Sequence, residues 1–142
     1  MTPDDHYEKF LAQVVSKLGN GETYSNELAD VGKEMFGKKF NGVFSADEIP
    51  QKFTSIIANL DDRSEGGSHW IAIARTPEGK YLVYDSFGRK TDKIIGQGVS
   101  HLDTYDTEYD AEQDVKEENC GARCLAWLKV FHRFGKEAAY QI

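Results

Sequence analysis

Two short apolar runs, separated by the sequence TPEG, most constrain how this chain can fold. The first run, SHWIAIAR, occupies 68–75, and the second, KYLVYDSF, occupies 80–87. β-Branched and aromatic residues favour strands, whereas proline and glycine close together, here within 76–79, are typical of a tight turn. The pattern therefore predicts a β-hairpin over 68–87.

Helices are predicted on either side of this hairpin. Residues 2–18 begin with a threonine that can cap and a proline suited to the first helical position, and their apolar residues recur at helical spacing. A weaker helix is predicted over 25–36, a further strand over 53–60, and a final helix from about Asn119 to Phe134. The sequence therefore predicts an α+β fold, with a central antiparallel sheet packed against helices.

Length and composition set the limits of what the chain can be. Its 142 residues predict one domain, 1–142, and its net charge of -7 argues against a protein whose main task is to grip nucleic acid. The four histidines show no metal-binding spacing, so we expect no metal and no other cofactor. No apolar run is long enough to span a membrane, and the polar N-terminus argues against secretion. The two cysteines fit free thiols in a reducing compartment.

Both cysteines lie in the segment EENCGARCLAW, at 117–127. Cys120 falls at the predicted start of the final helix, where backbone N–H groups and the helix dipole stabilise a thiolate. Gly121 would let a substrate backbone come close, and Cys124 lies one turn further in, where a core cysteine belongs. Free cysteines are mostly small buried hydrophobes, so these features alone favour that plainer interpretation of Cys120.

A thiol nucleophile needs a base, and the hairpin supplies a candidate. With a turn in TPEG, His69 falls opposite position 85 or 86, so its imidazole can meet the carboxylate of Asp85 at the open end of the hairpin. The side-chain amide of Gln113 and the N–H of Cys120 are candidate donors to an oxyanion. The plainer alternatives are that His69 is a surface histidine, that Asp85 caps the start of a loop and that Gln113 is only solvated. The occurrence of all these groups in one sequence weakens these alternatives.

These residues, in this order, resemble the adenovirus-type cysteine proteases, the adenain family. GGSHWIAIA, at 66–74, is similar to the segment around the family's catalytic histidine, and YLVYDSFG, at 81–88, is similar to the segment around its acidic residue. The glutamine and CGARC within 113–124 are similar to its oxyanion glutamine and nucleophile. The further similar segments are MFGKKFNGVFSADEIP (35–50) and SIIANLDDRSEGGSHW (55–70). The resemblance covers roughly residues 25 to 134.

The resemblance implies a papain-like protease of the adenain type, with its nucleophile at a helix N-terminus. In such a site a cysteine attacks the substrate, a histidine is its base, an acidic residue orients the histidine and a glutamine helps form the oxyanion hole. The implied catalytic residues are Cys120, His69, Asp85 and Gln113, and the implied substrate-binding residues are Trp70 and Gly121. A plainer role for Trp70 is core packing on the inner face of the hairpin.

The function implied by the resemblance is that of a cysteine endopeptidase. It would cleave viral capsid or core precursors after small residues such as glycine during virion maturation, as a monomer in the virion and in the cytoplasm or nucleus of the infected cell. The main alternative is a deconjugating protease for ubiquitin or a ubiquitin-like modifier, because those enzymes carry Asp where Asp85 stands and adenovirus members carry Glu. An acetyltransferase with the same constellation and a binding module with an idle site are further alternatives.

Two departures from the family narrow these expectations. Adenovirus enzymes continue well beyond the nucleophile, so we expect a minimal version from a virophage-like or other DNA virus. They are also stimulated by DNA and by a disulfide-linked viral peptide. The acidic charge and the absence of cysteines outside 120–124 argue against carrying the DNA or peptide activator over. The acidic stretch DTYDTEYDAEQD, at 103–114, is expected to be a solvated loop rather than a docking surface.

Overall fold

The computed structural model describes residues 2–19, 25–45, 48–59, 70–86, 101–105 and 119–142. Within these ranges the chain is a mixed α+β structure with one four-stranded sheet packed against helices, which confirms the α+β part of the predicted fold class. The elements in chain order are α1 (Pro3–Leu18), α2 (Ser25–Phe36), β1 (Val43–Ser45), β2 (Ser55–Asn59), β3 (Trp70–Arg75), β4 (Tyr81–Tyr84), α3 (Cys120–Phe134) and α4 (Lys136–Tyr140).

Helix α1 begins with a capping box that includes Thr2, the residue predicted to cap it. The Asp5 backbone N–H donates to Thr2 Oγ1 over 3.2 Å, and the Thr2 N–H donates to the Asp5 carboxylate over 2.9 Å. These hydrogen bonds satisfy N–H groups that have no partner within the helix, and the bond from Thr2 lowers the pKa of Asp5. The apolar stripe of α1 is buried through Tyr7, Phe10, Leu11 and Val14. The predicted helix over 2–18 is therefore confirmed.

The sheet has the order β1-β2-β3-β4 and is not wholly antiparallel. Strands β2, β3 and β4 pair antiparallel, but β1 pairs parallel to β2, with Val43 beside Ile57. Asn41 explains the difference, because its Oδ1 accepts the N–H groups of Thr54 and Ser55 over 2.7 and 3.3 Å. Asn41 thus fixes the start of β2 beside the start of β1, and both strands run the same way. The expectation of an antiparallel sheet was wrong for β1.

The predicted hairpin is present as β3 and β4, but its register differs from the one counted on the sequence. The Thr76 N–H donates to the Lys80 carbonyl over 2.8 Å, and Gly79, at φ 85°, is an extra residue inside the turn. Tyr84 therefore pairs with Ala72, and one further step along this register brings Asp85 level with Ile71. The count on the sequence assumed a shorter turn and was wrong for these paired positions, whereas position 69 lies outside the described residues.

Apolar side chains cover both faces of the sheet. The first hydrophobic cluster lies between one face and helices α1 and α3, and its sheet residues are Ile57, Trp70, Ala72, Ala74, Leu82 and Tyr84. The second cluster lies on the other face and consists of Ile49, Phe53, Ile56, Ala58, Ile71, Ile73, Tyr81, Val83 and Leu102. Successive strand residues alternate between the two clusters, as strand geometry requires. The site described below lies where the first cluster reaches the start of α3.

The segment 101–105 extends the edge of β4. The Tyr81 N–H donates to the Asp103 carbonyl over 2.8 Å, and the Tyr105 N–H donates to the Tyr81 carbonyl over 2.9 Å. The remainder of the acidic stretch, from 106 onward, lies outside the described residues. Among the helices that the structure describes, none is long and apolar enough to cross a membrane.

Candidate active site

The thiol of Cys120 lies at the first residue of α3 and against the first residue of β3. Its side chain is 5% exposed, and the Trp70 backbone N–H donates to Cys120 Sγ over 3.5 Å. That nitrogen belongs to the peptide bond that joins Trp70 to His69 in the sequence. Gly121, the next residue of the helix, is also buried. The fold thus brings the start of α3 next to the strand that follows His69 in the chain.

Asp85 comes directly after the last residue of β4 and is fully buried. Three effects raise the pKa of Cys124, which lies near the start of α3. Burial contributes most, Cys120 contributes less, and the negative charge of Asp85 contributes least. A carboxylate is costly to bury unless hydrogen bonds or charges compensate it, so such a position is more typical of a functional or structural site than of a surface cap. The structure therefore places Asp85 near the helix that begins at Cys120.

Cys124 differs from Cys120 in its environment. It is fully buried within the first hydrophobic cluster, and burial raises the pKa of its thiol well above the ordinary value. The thiol is consequently neutral near pH 7, and a neutral thiol is a poor nucleophile. The prediction that Cys124 is a core residue is confirmed.

Trp70 packs into the same cluster with only 5% of its surface exposed, so core packing is its evident role. Its indole Nε1 is buried and has no hydrogen-bond partner in the described part of the chain. Contact between Trp70 and a substrate stays a prediction, as does such a contact for Gly121. His69 and Gln113 lie outside the described residues, so the expected contact between the His69 imidazole and the Asp85 carboxylate stays a prediction.

A buried polar network next to this site is one that the sequence did not reveal. Arg123, on the first turn of α3, is 8% exposed and donates to Asn119 and to Tyr7. Tyr7 in turn shares a hydrogen bond with Tyr84. The available signal was the single charged residue within the apolar segment CGARCLAW, at 120–127. Its partners are too distant in sequence for any local pattern to identify them.

The other end of α3 carries a second polar cluster. His132 Nε2 and Ser55 Oγ are hydrogen-bonded over 2.9 Å, and Ser55 Oγ also donates to the Lys39 carbonyl. Burial, with a smaller contribution from the charge of Lys39, lowers the pKa of His132 to about 4. A cleft of about 480 Å³ opens beside His132. Among the described residues, no group of three or more His, Cys, Asp or Glu side chains could hold a metal ion.

A comparison with protein families gives this geometry a context. A family model described as adenovirus endoprotease matches residues 33–111, which is more than half of the chain. The protein is therefore a hydrolase of the viral thiol protease class, and its substrates are proteins. It belongs to the adenovirus endoprotease family, which confirms the resemblance drawn from the sequence. The matched range includes His69, Trp70 and Asp85 but ends before Gln113 and Cys120.

Proposed function

We propose that this chain is a single-domain, papain-like cysteine endopeptidase, 1–142, with Cys120 as nucleophile. His69 is its general base, Asp85 orients His69, and Gln113 helps hold the oxyanion. The observation that carries the proposal is the hydrogen bond from the Trp70 N–H to Cys120 Sγ, 3.5 Å long. Cys120 lies outside the family match. Trp70 lies within the match and directly follows His69, the proposed base.

The location of Cys120 supports a nucleophilic role. Cys120 is the first residue of a 15-residue helix, where backbone N–H groups without helical partners and the helix dipole can stabilise negative charge that develops during a reaction. Cys124 offers no competing nucleophile, because burial keeps its thiol protonated. Only one of the two thiols therefore combines the start of a helix with proximity to the strand that follows His69.

The proposed reaction is acyl transfer to the thiolate. Cys120 sulfur attacks the scissile carbonyl carbon, and the resulting oxyanion accepts hydrogen bonds from the Cys120 N–H and the Gln113 amide. When the C–N bond breaks, the protonated His69 gives its proton to the leaving amine. His69 then takes a proton from water, whose oxygen attacks the thioester and releases the carboxylic acid product. The thiolate leaves in this step, and the free enzyme is restored.

The proposed substrates are capsid or core precursors, cut after small residues such as glycine during virion maturation. The proposed sites of action are the virion and the cytoplasm or nucleus of the infected cell, and the proposed state is a monomer that needs no cofactor. A deconjugating protease is the second candidate, favoured by the aspartate at position 85 in place of glutamate. Cleavage of a ubiquitin-like fusion, measured beside cleavage of glycine-containing precursor peptides, separates the two. Fast processing of the fusion alone would reverse this order.

The experiment that tests the proposal compares the two cysteines. Iodoacetamide at pH 7 should alkylate Cys120 faster than a free model thiol and should leave Cys124 unmodified, as read by mass spectrometry of tryptic peptides. Cys120→Ala should lower peptide hydrolysis by about 10³-fold or more, since it removes the nucleophile. Cys124→Ala is the matched control and should keep kcat within about threefold, with a modest loss of stability. Equal activity of the two variants would overturn the proposal.

A further inference from the structure

Arg123 is a charged side chain in a place where charge is costly. It is 8% exposed, and arginine is almost never buried in folded proteins unless its guanidinium is paired. Its Nε donates to Asn119 Oδ1 over 3.0 Å, and its Nη1 donates to Tyr7 Oη over 3.2 Å. These two hydrogen bonds lead toward two different segments of the site.

The first bond holds the residue before Cys120. Asn119 is the N-cap of α3, a position where an asparagine side chain usually accepts a backbone N–H from the first turn. Here it makes no such capping bond, and its Oδ1 accepts from Arg123 Nε. The Arg123 N–H also donates to the Asn119 carbonyl over 3.0 Å, so Asn119 is held through both its side chain and its backbone.

The second bond leads to the residue before Asp85. Tyr7 Oη lies 2.8 Å from Tyr84 Oη, and Tyr84 is the last residue of β4. Since arginine can only donate, the Tyr7 oxygen accepts from Arg123, and its own hydrogen is available to Tyr84. Tyr84 is also fully buried and stacks on Trp127, with ring centroids 5.3 Å apart and an interplanar angle of 8°. The position of the Tyr84 side chain is therefore set from two sides.

We propose that Arg123 is a positioning residue that holds Cys120 through Asn119, and Asp85 through Tyr7 and Tyr84. This inference rests on the proposed function, in which the sulfur of Cys120 and the carboxylate of Asp85 act on the same histidine. Asn119 directly precedes Cys120 in the chain, and Tyr84 directly precedes Asp85. In this scheme Arg123 acts through its neighbours, by fixing the relative positions of α3 and the end of β4.

The test uses the full chain and a fluorogenic peptide with glycine before the scissile bond. Arg123→Met removes the donors at similar length, and Arg123→Lys keeps a charged donor. The matched control is Arg133→Met, at an exposed position near the other end of the same helix. Arg123→Met should lower kcat by about 10- to 100-fold while KM changes by less than about twofold, because misplacement of reacting groups affects the chemical step. Arg123→Lys should recover part of this loss, and Arg133→Met should match the wild type.

A merely structural role predicts a different result. If the role of Arg123 is only structural, Arg123→Met lowers the folded fraction, measured by circular dichroism and urea unfolding. The kcat per folded molecule then stays at the wild-type value, and that outcome overturns the inference. If Arg123→Met does not fold, Tyr7→Phe and Tyr84→Phe decide, since each removes one hydroxyl from the network. Each should lower kcat by about 3- to 10-fold, and wild-type kcat in both would overturn the inference.

The failure of this inference is distinguishable from failure of the proposed function. If the wild-type chain cleaves the peptide and Cys120→Ala does not, the proposed function holds. The kinetics of the Arg123 variants then test only the inference on Arg123. If the wild-type chain cleaves no peptide, the proposed function fails, and the rate of Cys120 alkylation by iodoacetamide decides for Arg123. An unchanged rate in Arg123→Met then overturns the inference, and a change of about threefold or more supports a positioning role toward the thiol.

Discussion

Each end of α3 carries a polar side chain that is withdrawn from water, buried at Arg123 and half-buried at His132, but the two side chains differ in charge. At the N-terminal end, the guanidinium of Arg123 is buried and hydrogen-bonded to Asn119 and Tyr7, close in sequence to the Cys120 thiol. At the C-terminal end, burial lowers the pKa of His132 to about 4, so its ring is neutral at pH 7. At the N-terminal end, hydrogen bonds hold a charged guanidinium. At the C-terminal end, burial keeps the imidazole uncharged at pH 7.

This difference separates a candidate site from a structural contact. A general base works best when its pKa lies near the working pH, and the value for His132 is too low for that task. The hydroxyl of Ser55 beside it donates to the Lys39 carbonyl, and the side chain of Ser55 is fully buried. A histidine next to a serine and a cleft is therefore not by itself evidence of catalysis, because proton availability and access both count.

The largest expected effect concerns Asp85, the fully buried carboxylate near the N-terminal end of α3. Asp85→Asn keeps the shape but removes the charge that would orient His69 and stabilise its protonated form, so kcat for the glycine-containing peptide should fall about 10²- to 10⁴-fold. Steady-state kinetics on protein of known folded fraction measure this. Ser86→Ala, at the next buried position, is the control and should stay within about threefold of the wild type. Wild-type kcat in Asp85→Asn would remove Asp85 from the proposed site.

The next effect concerns stability rather than activity, at the C-terminal end. His132→Gln breaks or weakens the hydrogen bond to Ser55, and we expect a loss of about 1–2 kcal/mol in the free energy of unfolding by urea. The kcat per folded molecule should stay within about twofold of the wild type. A loss of kcat comparable to that of Asp85→Asn would mean that the two ends of α3 do not differ as described.

The pH dependence of stability gives a smaller effect of known sign. The pKa of His132 is about 4 in the folded protein and 6.5 ordinarily, so between these values the unfolded chain binds a proton that the folded chain does not. The contribution of His132 is therefore complete above pH 6.5 and is lost progressively as the pH falls toward 4. The slope of the urea midpoint against pH in this window should flatten in His132→Gln. The exposed His101, replaced by Gln, is the control, and a flattened slope there instead would contradict the assignment.

The smallest effect is expected from an exposed ion pair near the same end. Lys136 Nζ lies 3.4 Å from a carboxylate oxygen of Glu78, and the Glu78 side chain is 54% exposed. Exposed pairs contribute little because water and salt screen them. Lys136→Met should therefore leave both kcat and the urea midpoint unchanged within error. A clear loss of stability at low salt that disappears at high salt would show that this pair contributes more than its exposure indicates.

Local sequence signals predicted the elements of this fold well. The capping threonine and apolar stripe of α1, the location of the TPEG turn and the glycine after α3 each act over a few residues, so they can be inferred from sequence alone. The length of that turn, and with it the strand register, could not be inferred in this way. The start of α3 at Cys120, after Asn119, was predictable for the same reason. It placed one thiol at a helix terminus and the other inside the core.

Features set by distant contacts could not be predicted. The parallel pairing of β1 depends on Asn41 reaching Thr54 and Ser55, and no local pattern indicates such a contact. The bond between Arg123 and Tyr7 joins residues 116 positions apart. Tertiary packing decides whether the polar groups of this network are buried. A periodic pattern of apolar residues does not indicate which single polar side chains will be buried.

The chain contains two tryptophans, and both are buried in the first hydrophobic cluster. Trp70 is bonded through its backbone to Cys120 Sγ, and Trp127 stacks on Tyr84 within the network of Arg123. The intrinsic fluorescence of the protein therefore reports on the two groups of greatest interest. Alkylation of Cys120, whose sulfur accepts the backbone N–H of Trp70, will be followed as a change in emission, without any added dye, and Trp70→Phe will show whether that change comes from Trp70.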